Sequence, residues 1–217
     1  MLENRLVEKL QKQTLNENLT FIHIPKNYGC SCLKIFFGLS AANSHLTATQ
    51  ASKLPGFENQ KYFCFFRNPI DRFVSVYRWR KRTHKDTENI IHQLSMEEVI
   101  DYLEDNKIMG TSKVDHLRFE SDSSKLDKMF RSQFFWINEQ TDVFRCENFK
   151  QEVFRFAEKY NIETENLYIE HANINNQHGS KEQTKEELFN ILSTSSRLKN
   201  KFYTFYKRDF DFYESEL

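Results

Sequence analysis

The segment Phe21–Ser31, FIHIPKNYGCS, contains the residues whose types and spacing best suit chemistry. A short apolar run typical of a β-strand leads into Pro25-Lys26 and a turn, and apolar residues at helical spacing follow. Such a strand–turn–helix segment is typical of phosphate binding, because backbone N–H groups and the helix N-terminus point at the anion and a lysine adds positive charge. The segment therefore predicts a phosphorylated ligand. It is not a Walker A loop, in which the lysine follows the glycines, because Lys26 precedes Gly29.

A second basic motif, FFRNPIDRFVSVY, spans Phe65–Tyr77. The apolar run that opens it predicts a strand ending at Arg67, and helical spacing follows. An arginine at a strand end and a serine on the next helix, here Ser75, can bind one phosphate through a bidentate guanidinium and a hydroxyl. In a parallel sheet the carboxyl ends of the strands share one edge, so Lys26 and Arg67 are expected there together. An ion pair between Arg67 and Asp71 that caps the helix is the structural alternative.

Composition limits the classes of protein that fit. The chain has 217 residues, 39% hydrophobic and 29% charged, which predicts one domain over residues 1–217 with a substantial core. Lysine plus arginine and aspartate plus glutamate both number 31, and this balance argues against nucleic-acid binding. The sequence shows no apolar run long enough to cross a bilayer and no signal-peptide core, so a cytoplasmic location is predicted. The four cysteines fit reduced thiols, and no metal site is predicted.

The coarse pattern of elements favours an α/β fold. Strand and helix alternate at the start of the chain, which is typical of a parallel sheet with helices on its faces. Ser95 and Glu98 predict a capping box at a helix start. The predicted strands are Leu19–Ile24, Tyr62–Phe66, Phe134–Ile137, Val143–Arg145 and Leu167–Ile169. The predicted helices are a short amphipathic one through Leu2, Leu6 and Leu10, then Ser31–Leu39, Asp71–Arg82, Met96–Leu103, Phe149–Tyr160 and Leu188–Phe212.

As a pair, the two basic motifs resemble the nucleotide-binding motifs of sulfotransferases that use 3'-phosphoadenosine 5'-phosphosulfate (PAPS). They are most similar to the carbohydrate-type branch, which includes heparan and chondroitin sulfotransferases and bacterial relatives. Weaker similarities follow in family order at Ser44–Gln50, His116–Asp122, Phe144–Phe149 and Phe205–Tyr213. The resemblance implies a P-loop-like three-layer α/β sandwich with a central, mostly parallel sheet flanked by helices.

The same resemblance implies roles for individual residues. Lys26 would contact the 5'-phosphosulfate, and Arg67 and Ser75 would bind the 3'-phosphate that distinguishes this nucleotide from ATP. Five residues after the lysine would cradle the phosphosulfate: Asn27, Tyr28, Gly29, Cys30 and Ser31. Two of them depart from the family pattern, since Tyr28 stands in place of a glycine and Cys30 in place of a threonine.

Sulfuryl transfer is an in-line displacement that depends on positioning and charge stabilisation, as phosphoryl transfer does. Lys26 is expected to stabilise charge on the leaving phosphate oxygen. His45 is the first candidate for the general base that removes the acceptor proton, because a neutral imidazole is a suitable base near pH 7. His116 is the second, as base or as a donor to the acceptor. The alternatives are a solvated loop or N-cap-type role for His45 and a structural role for His116. The mechanism requires no metal.

The predicted acceptor is a hydroxyl, in particular one of a sugar, and the residues carry no sign of oligomeric state. Two other classes remain open. A P-loop kinase or other phosphotransferase would bind Mg-ATP, although the sequence lacks a Walker Lys-Ser/Thr pair and an evident magnesium carboxylate. A non-catalytic nucleotide- or glycan-binding module would bind without turnover, and the altered turn at Tyr28 and Cys30 favours this class.

Overall fold

The computed structural model of the protein describes residues 2–39, 45–82, 90–105, 128–163 and 181–215. The chain divides into two compact units, each built from two stretches of sequence. Unit 1 comprises Met1–Arg67 and Gln133–Ile174, and unit 2 comprises Asn68–Ser132 and Asn175–Leu217. The single domain over residues 1–217 stays a prediction.

The α-helices of the described residues are, in chain order, α1 (Leu2–Gln11), α2 (Gly29–Phe37), α3 (Ala48–Ala51), α4 (Pro69–Arg82), α5 (Met96–Asp105), α6 (Phe149–Lys159), α7 (Lys181–Thr194), α8 (Ser196–Phe205) and α9 (Lys207–Ser215). Short 3-10 helices lie at Ile90–His92, Lys128–Phe130 and Gln133–Trp136. Within the described part of the chain, no helix has both the length and the apolar character that a bilayer crossing requires.

The described part of unit 1 holds a four-stranded sheet in the order β1-β2-β3-β4. Its strands are β1 (Thr14–Leu15), β2 (Leu19–Phe21), β3 (Lys61–Phe66) and β4 (Thr141–Arg145). β1 runs antiparallel to β2, whereas β2, β3 and β4 are mutually parallel. This sheet and the helices packed on it confirm the predicted α/β class.

Phenylalanine dominates the core of unit 1 because alternate residues of parallel strands point to the same face of the sheet. Phe21 pairs with Phe63 in the register of β2 and β3, and Phe65 pairs with Phe144 in that of β3 and β4. α2 and α6 cover this face, and Phe156 of α6 lies 4.4 Å from Phe63 between ring centroids. The packing fixes α2, which begins at Gly29 after the turn that follows β2, against the sheet.

Unit 2 is helical in its described residues. α4 buries an apolar face that packs with residues of α5, α7 and α8. The predicted capping box of α5 is confirmed: the backbone N–H of Ser95 donates to Glu98, 2.7 Å, and that of Glu98 donates to the Ser95 hydroxyl, 3.2 Å. The buried guanidinium of Arg72 donates to the carbonyls of Met129 and Arg131, at 2.9 and 2.8 Å. Arg72 thereby holds the 3-10 helix Lys128–Phe130 against α4.

Several element predictions differ from the structure. The predicted strand Phe134–Ile137 is wrong, because the chain forms the 3-10 helix Gln133–Trp136 there. The predicted long helix Leu188–Phe212 lies across three helices, α7 to α9. The break before α8 occurs at Ser195, whose side chain caps the new helix by accepting from the N–H of Leu198. The predicted strand Leu167–Ile169 lies outside the described residues.

Candidate functional site

The turn after β2 has an unusual backbone. Lys26 has φ of 68° and Tyr28 has φ of 57°, so two non-glycine residues adopt the left-handed conformation within three positions. Such residues are uncommon and strained, and they concentrate at ligand-binding sites, where the surrounding structure holds them in place. The strain therefore marks this turn as a candidate binding site on grounds independent of the sequence motif.

The turn leads directly into the N-terminus of α2, with Tyr28 as the N-cap residue. The carbonyl of Tyr28 accepts from the N–H of Cys32, 3.0 Å, which is the first turn of the helix. The N–H groups at the start of an α-helix have no acceptor within the helix and form its positive end. In α2 these groups belong to Gly29, Cys30 and Ser31. The arrangement can accept an anion such as a phosphate.

Gly29 is required by packing rather than by its backbone angle. A Cβ atom built at this position would lie 1.9 Å from Nε2 of His23. His23 is buried, and its Nδ1 has no hydrogen-bond partner within the described chain. Burial, with added repulsion from His45 and Lys26, holds its pKa well below the usual value. His23 is therefore a neutral ring under the turn at neutral pH.

Arg67, at the end of β3, contacts the turn directly. Its Nη1 donates to the carbonyl of Lys26, 3.0 Å, and its Cζ lies 5.5 Å from the centroid of the Tyr28 ring. The structure thus brings Lys26 and Arg67 together, in agreement with the expectation that both lie at one sheet edge. Two basic residues from separate motifs meet at a strained turn and a helix N-terminus.

Gln133 joins the two motifs, and sequence reasoning missed it. Its Oε1 accepts from Nδ2 of Asn27, 2.5 Å, and from the backbone N–H of Arg67, 2.8 Å. Its Nε2 donates to the carbonyl of Arg67, 2.9 Å. A single glutamine in an aromatic-rich segment has no local signature, so only the folded chain reveals this contact.

His45 lies close to the turn in the same unit. Its Nδ1 lies 3.1 Å from the carbonyl oxygen of His23, and the two imidazole centroids are 4.2 Å apart. Because a carbonyl can only accept, Nδ1 is the protonated nitrogen and the lone pair of the neutral ring is on Nε2. Thr47, two residues later, forms a capping box with Gln50 and starts α3 at Ala48. The hydrogen bond to the His23 carbonyl therefore sets the tautomer of the neutral His45 ring.

The remaining predicted site residues have different outcomes. Ser75 is half-buried on α4 in unit 2, and its role stays a prediction. His116 lies outside the described residues. Asp71, the carboxylate of the alternative ion pair, lies 3.1 Å from Nζ of Lys181 and 3.0 Å from Nζ of Lys185. Among the described residues, no group of three or more His, Cys, Asp or Glu is arranged to hold a metal.

Comparison with known proteins adds one finding. The family model described as the sulfotransferase family matches residues 15–214 of this chain. The match contains both basic motifs and most of both units, and it agrees with the P-loop-like sandwich fold expected from the sequence. No curated protein and no solved structure gave a significant match.

Proposed function

Because the chain belongs to the sulfotransferase family, we propose that it transfers the sulfuryl group of PAPS to a hydroxyl of a carbohydrate acceptor. The observation that supports PAPS most directly is the contact between Arg67 and the carbonyl of Lys26. Two cations on one sheet edge can serve two separated phosphates of one ligand. PAPS carries phosphate at both its 5' and 3' positions, which suits this pair.

The turn and the first residues of α2 fit the 5'-phosphosulfate. The helix N-terminus offers the N–H groups of Gly29, Cys30 and Ser31. The nucleotide supplies the sulfuryl group and a phosphate leaving group. In the proposal, the ammonium of Lys26 stabilises the negative charge that develops on the leaving oxygen.

Arg67 binds the 3'-phosphate in this proposal. A guanidinium has five N–H donors in a planar fork, and one of them serves the carbonyl of Lys26. The remaining N–H donors of the guanidinium bind the phosphate. A contribution of the Ser75 hydroxyl stays a prediction from the sequence. Arginine suits this task because its fork matches phosphate oxygens in pairs and it stays charged at any physiological pH.

His45 is the general base in this proposal. The hydrogen bond from Nδ1 to the carbonyl of His23 leaves the basic lone pair on Nε2. Nε2 accepts the proton of the acceptor hydroxyl as the new oxygen–sulfur bond forms. His23 does not compete for this proton, since its buried ring has a lowered pKa. The carbohydrate acceptor and the cytoplasmic location remain predictions from the sequence.

The test is transfer of ³⁵S from labelled PAPS to a panel of unsulfated glycosaminoglycans and neutral polysaccharides. We expect label in at least one acceptor. His45→Gln should lower the turnover number by about 10²- to 10⁴-fold while the nucleotide affinity stays unchanged. His92→Gln, a histidine of unit 2, is the matched control and should keep full activity.

Two outcomes would contradict the proposal. Nucleotide binding without label in any acceptor would favour the non-catalytic module. Transfer of ³²P from Mg-ATP, with no use of PAPS, would favour the phosphotransferase.

A further inference from the structure

Gln133 lies outside both basic motifs, 66 residues from Arg67 and 106 from Asn27 along the chain, yet it bonds to both. We infer that Gln133 is a positioning residue for recognition of the 3'-phosphate. Its amide fixes the strand end that carries Arg67 relative to the turn that carries Lys26. The inference rests on the proposed function, because it assigns Arg67 to that phosphate.

The amide of Gln133 engages both backbone polar groups of Arg67. Oε1 accepts from the N–H, 2.8 Å, and Nε2 donates to the carbonyl, 2.9 Å. A residue of an antiparallel strand would make the same pair of bonds, so the amide of Gln133 acts as a strand partner for Arg67, one residue beyond the end of β3 at Phe66. These bonds therefore hold the backbone of Arg67 in one orientation, and with it the direction in which the side chain leaves the strand end.

The same amide oxygen holds the turn. Oε1 of Gln133 accepts from Nδ2 of Asn27, which also donates to the carbonyl of Phe65, 2.7 Å. Asn27 thus ties the turn to β3 directly and, through Gln133, to Arg67. The spacing between the 5' and 3' ends of the proposed nucleotide site follows from these bonds.

Burial makes the link stiff. Gln133 is 1% exposed and Asn27 is 2% exposed. A buried donor or acceptor that loses its partner has no water to replace it, so each bond is strongly favoured over its absence. Replacing the amide with an apolar group would unpair the N–H and carbonyl of Arg67 together. The strand end would then sample other orientations, and the Arg67 guanidinium would no longer be held in position for the 3'-phosphate.

The experiment compares calorimetric affinities for adenosine 3',5'-bisphosphate and for AMP, which lacks the 3'-phosphate. Their ratio measures recognition of the 3'-phosphate and does not change with overall stability while the protein is folded. Gln133→Met keeps the length of the side chain but not its hydrogen bonds. We expect this variant to lower the ratio by about tenfold, in the range for a lost bond to a charged group. In an Arg67→Ala background, Gln133→Met should not change this affinity ratio further.

Gln13→Met is the matched control, because Gln13 is a fully buried glutamine of the same unit. It should change stability and leave the ratio as in the wild type. If Gln133→Met does not fold, Asn27→Ala is the second variant. It removes the hydrogen bond from Asn27 in the turn to Gln133 and should also lower the affinity ratio. A wild-type protein without preference for the 3'-phosphate would overturn the proposed function and the inference together. A wild-type preference that persists in the folded Gln133→Met or Asn27→Ala variant would overturn the inference alone.

Discussion

The guanidinium of Arg67 lies over the ring of Tyr28, with 5.5 Å between Cζ and the ring centroid. Tyr28 also stacks on Phe149, with 5.0 Å between ring centroids. The family pattern has glycine at this position, so the left-handed backbone that glycine adopts easily is kept here by a tyrosine. Its ring supports the arginine from one side through a cation–π contact. The departure from the family pattern is therefore compatible with a functional anion site.

Tyr28→Ala should weaken binding of adenosine 3',5'-bisphosphate by about 2- to 5-fold, which corresponds to the ~0.5–1 kcal/mol of an exposed cation–π contact. Tyr28→Phe keeps the ring and should bind as the wild type does. Calorimetry on the three proteins measures the difference. Equal affinity for Tyr28→Ala and the wild type would show that the ring does not support Arg67.

Gly29→Ala should lower the free energy of unfolding by about 1–3 kcal/mol, the usual cost of overpacking. The reason is steric, since the added methyl would lie 1.9 Å from Nε2 of His23. Urea unfolding followed by fluorescence or circular dichroism gives this quantity directly.

The matched test of that contact is the same substitution in a His23→Ala background, where space for the methyl exists. There the cost should fall, with a coupling energy of about 0.5–3 kcal/mol between the two positions. An identical loss of unfolding free energy in both backgrounds would mean that the ring of His23 is not what excludes a side chain at position 29.

Acid should destabilise the protein partly through His23. Burial, then repulsion from His45 and Lys26, places its folded-state pKa well below 6.5, its ordinary value. As pH falls below about 6.5, the unfolded chain binds this proton first, so stability is full above that pH and is lost below it. The loss continues until the folded-state pKa is reached. We expect the urea midpoint to decline less from pH 7.5 through 6.5 to 5.5 in His23→Gln than in the wild type. An equal decline in the two proteins would refute this.

Cys30 should be the cysteine that reacts first with a thiol reagent in the native protein. It is half-buried at the start of α2, whereas Cys32, Cys64 and Cys146 are buried and burial raises the pKa of each thiol. Adenosine 3',5'-bisphosphate should slow this reaction, because the proposed phosphosulfate cradle includes Cys30. Mass spectrometry of the modified peptides checks both points, with Cys30→Ser as control. Fast labelling of Cys30 in saturating nucleotide would place the ligand elsewhere.

The sequence predicts the parts of the site that depend on local pattern. The apolar run before Lys26 and the one before Arg67 form parallel neighbours, β2 and β3, so both residues reach one edge. The capping box at Ser95 is equally local. The predicted strand Phe134–Ile137 is wrong because the three bulky apolar residues that follow Gln133 show neither the strand period nor the helix period.

Other features depend on contacts between distant parts of the chain. The link from Gln133 to Asn27 and Arg67 arises only when β3 and the 3-10 helix Gln133–Trp136 come together. The requirement for glycine at position 29 likewise depends on where the ring of His23 packs. Both contacts depend on how the chain folds, so the pattern of neighbouring residues cannot predict them.

Recognition of the 3'-phosphate is the central claim, and calorimetry with adenosine 3',5'-bisphosphate and AMP tests it most directly. Arg67→Ala removes the side chain proposed to bind the 3'-phosphate. Arg155→Ala is the matched control, because Arg155 is an exposed arginine of α6 in the same unit. We expect the wild type to bind the bisphosphate more tightly than AMP, a preference that is lost in Arg67→Ala and kept in Arg155→Ala. Equal affinity of the wild type for both nucleotides would contradict it.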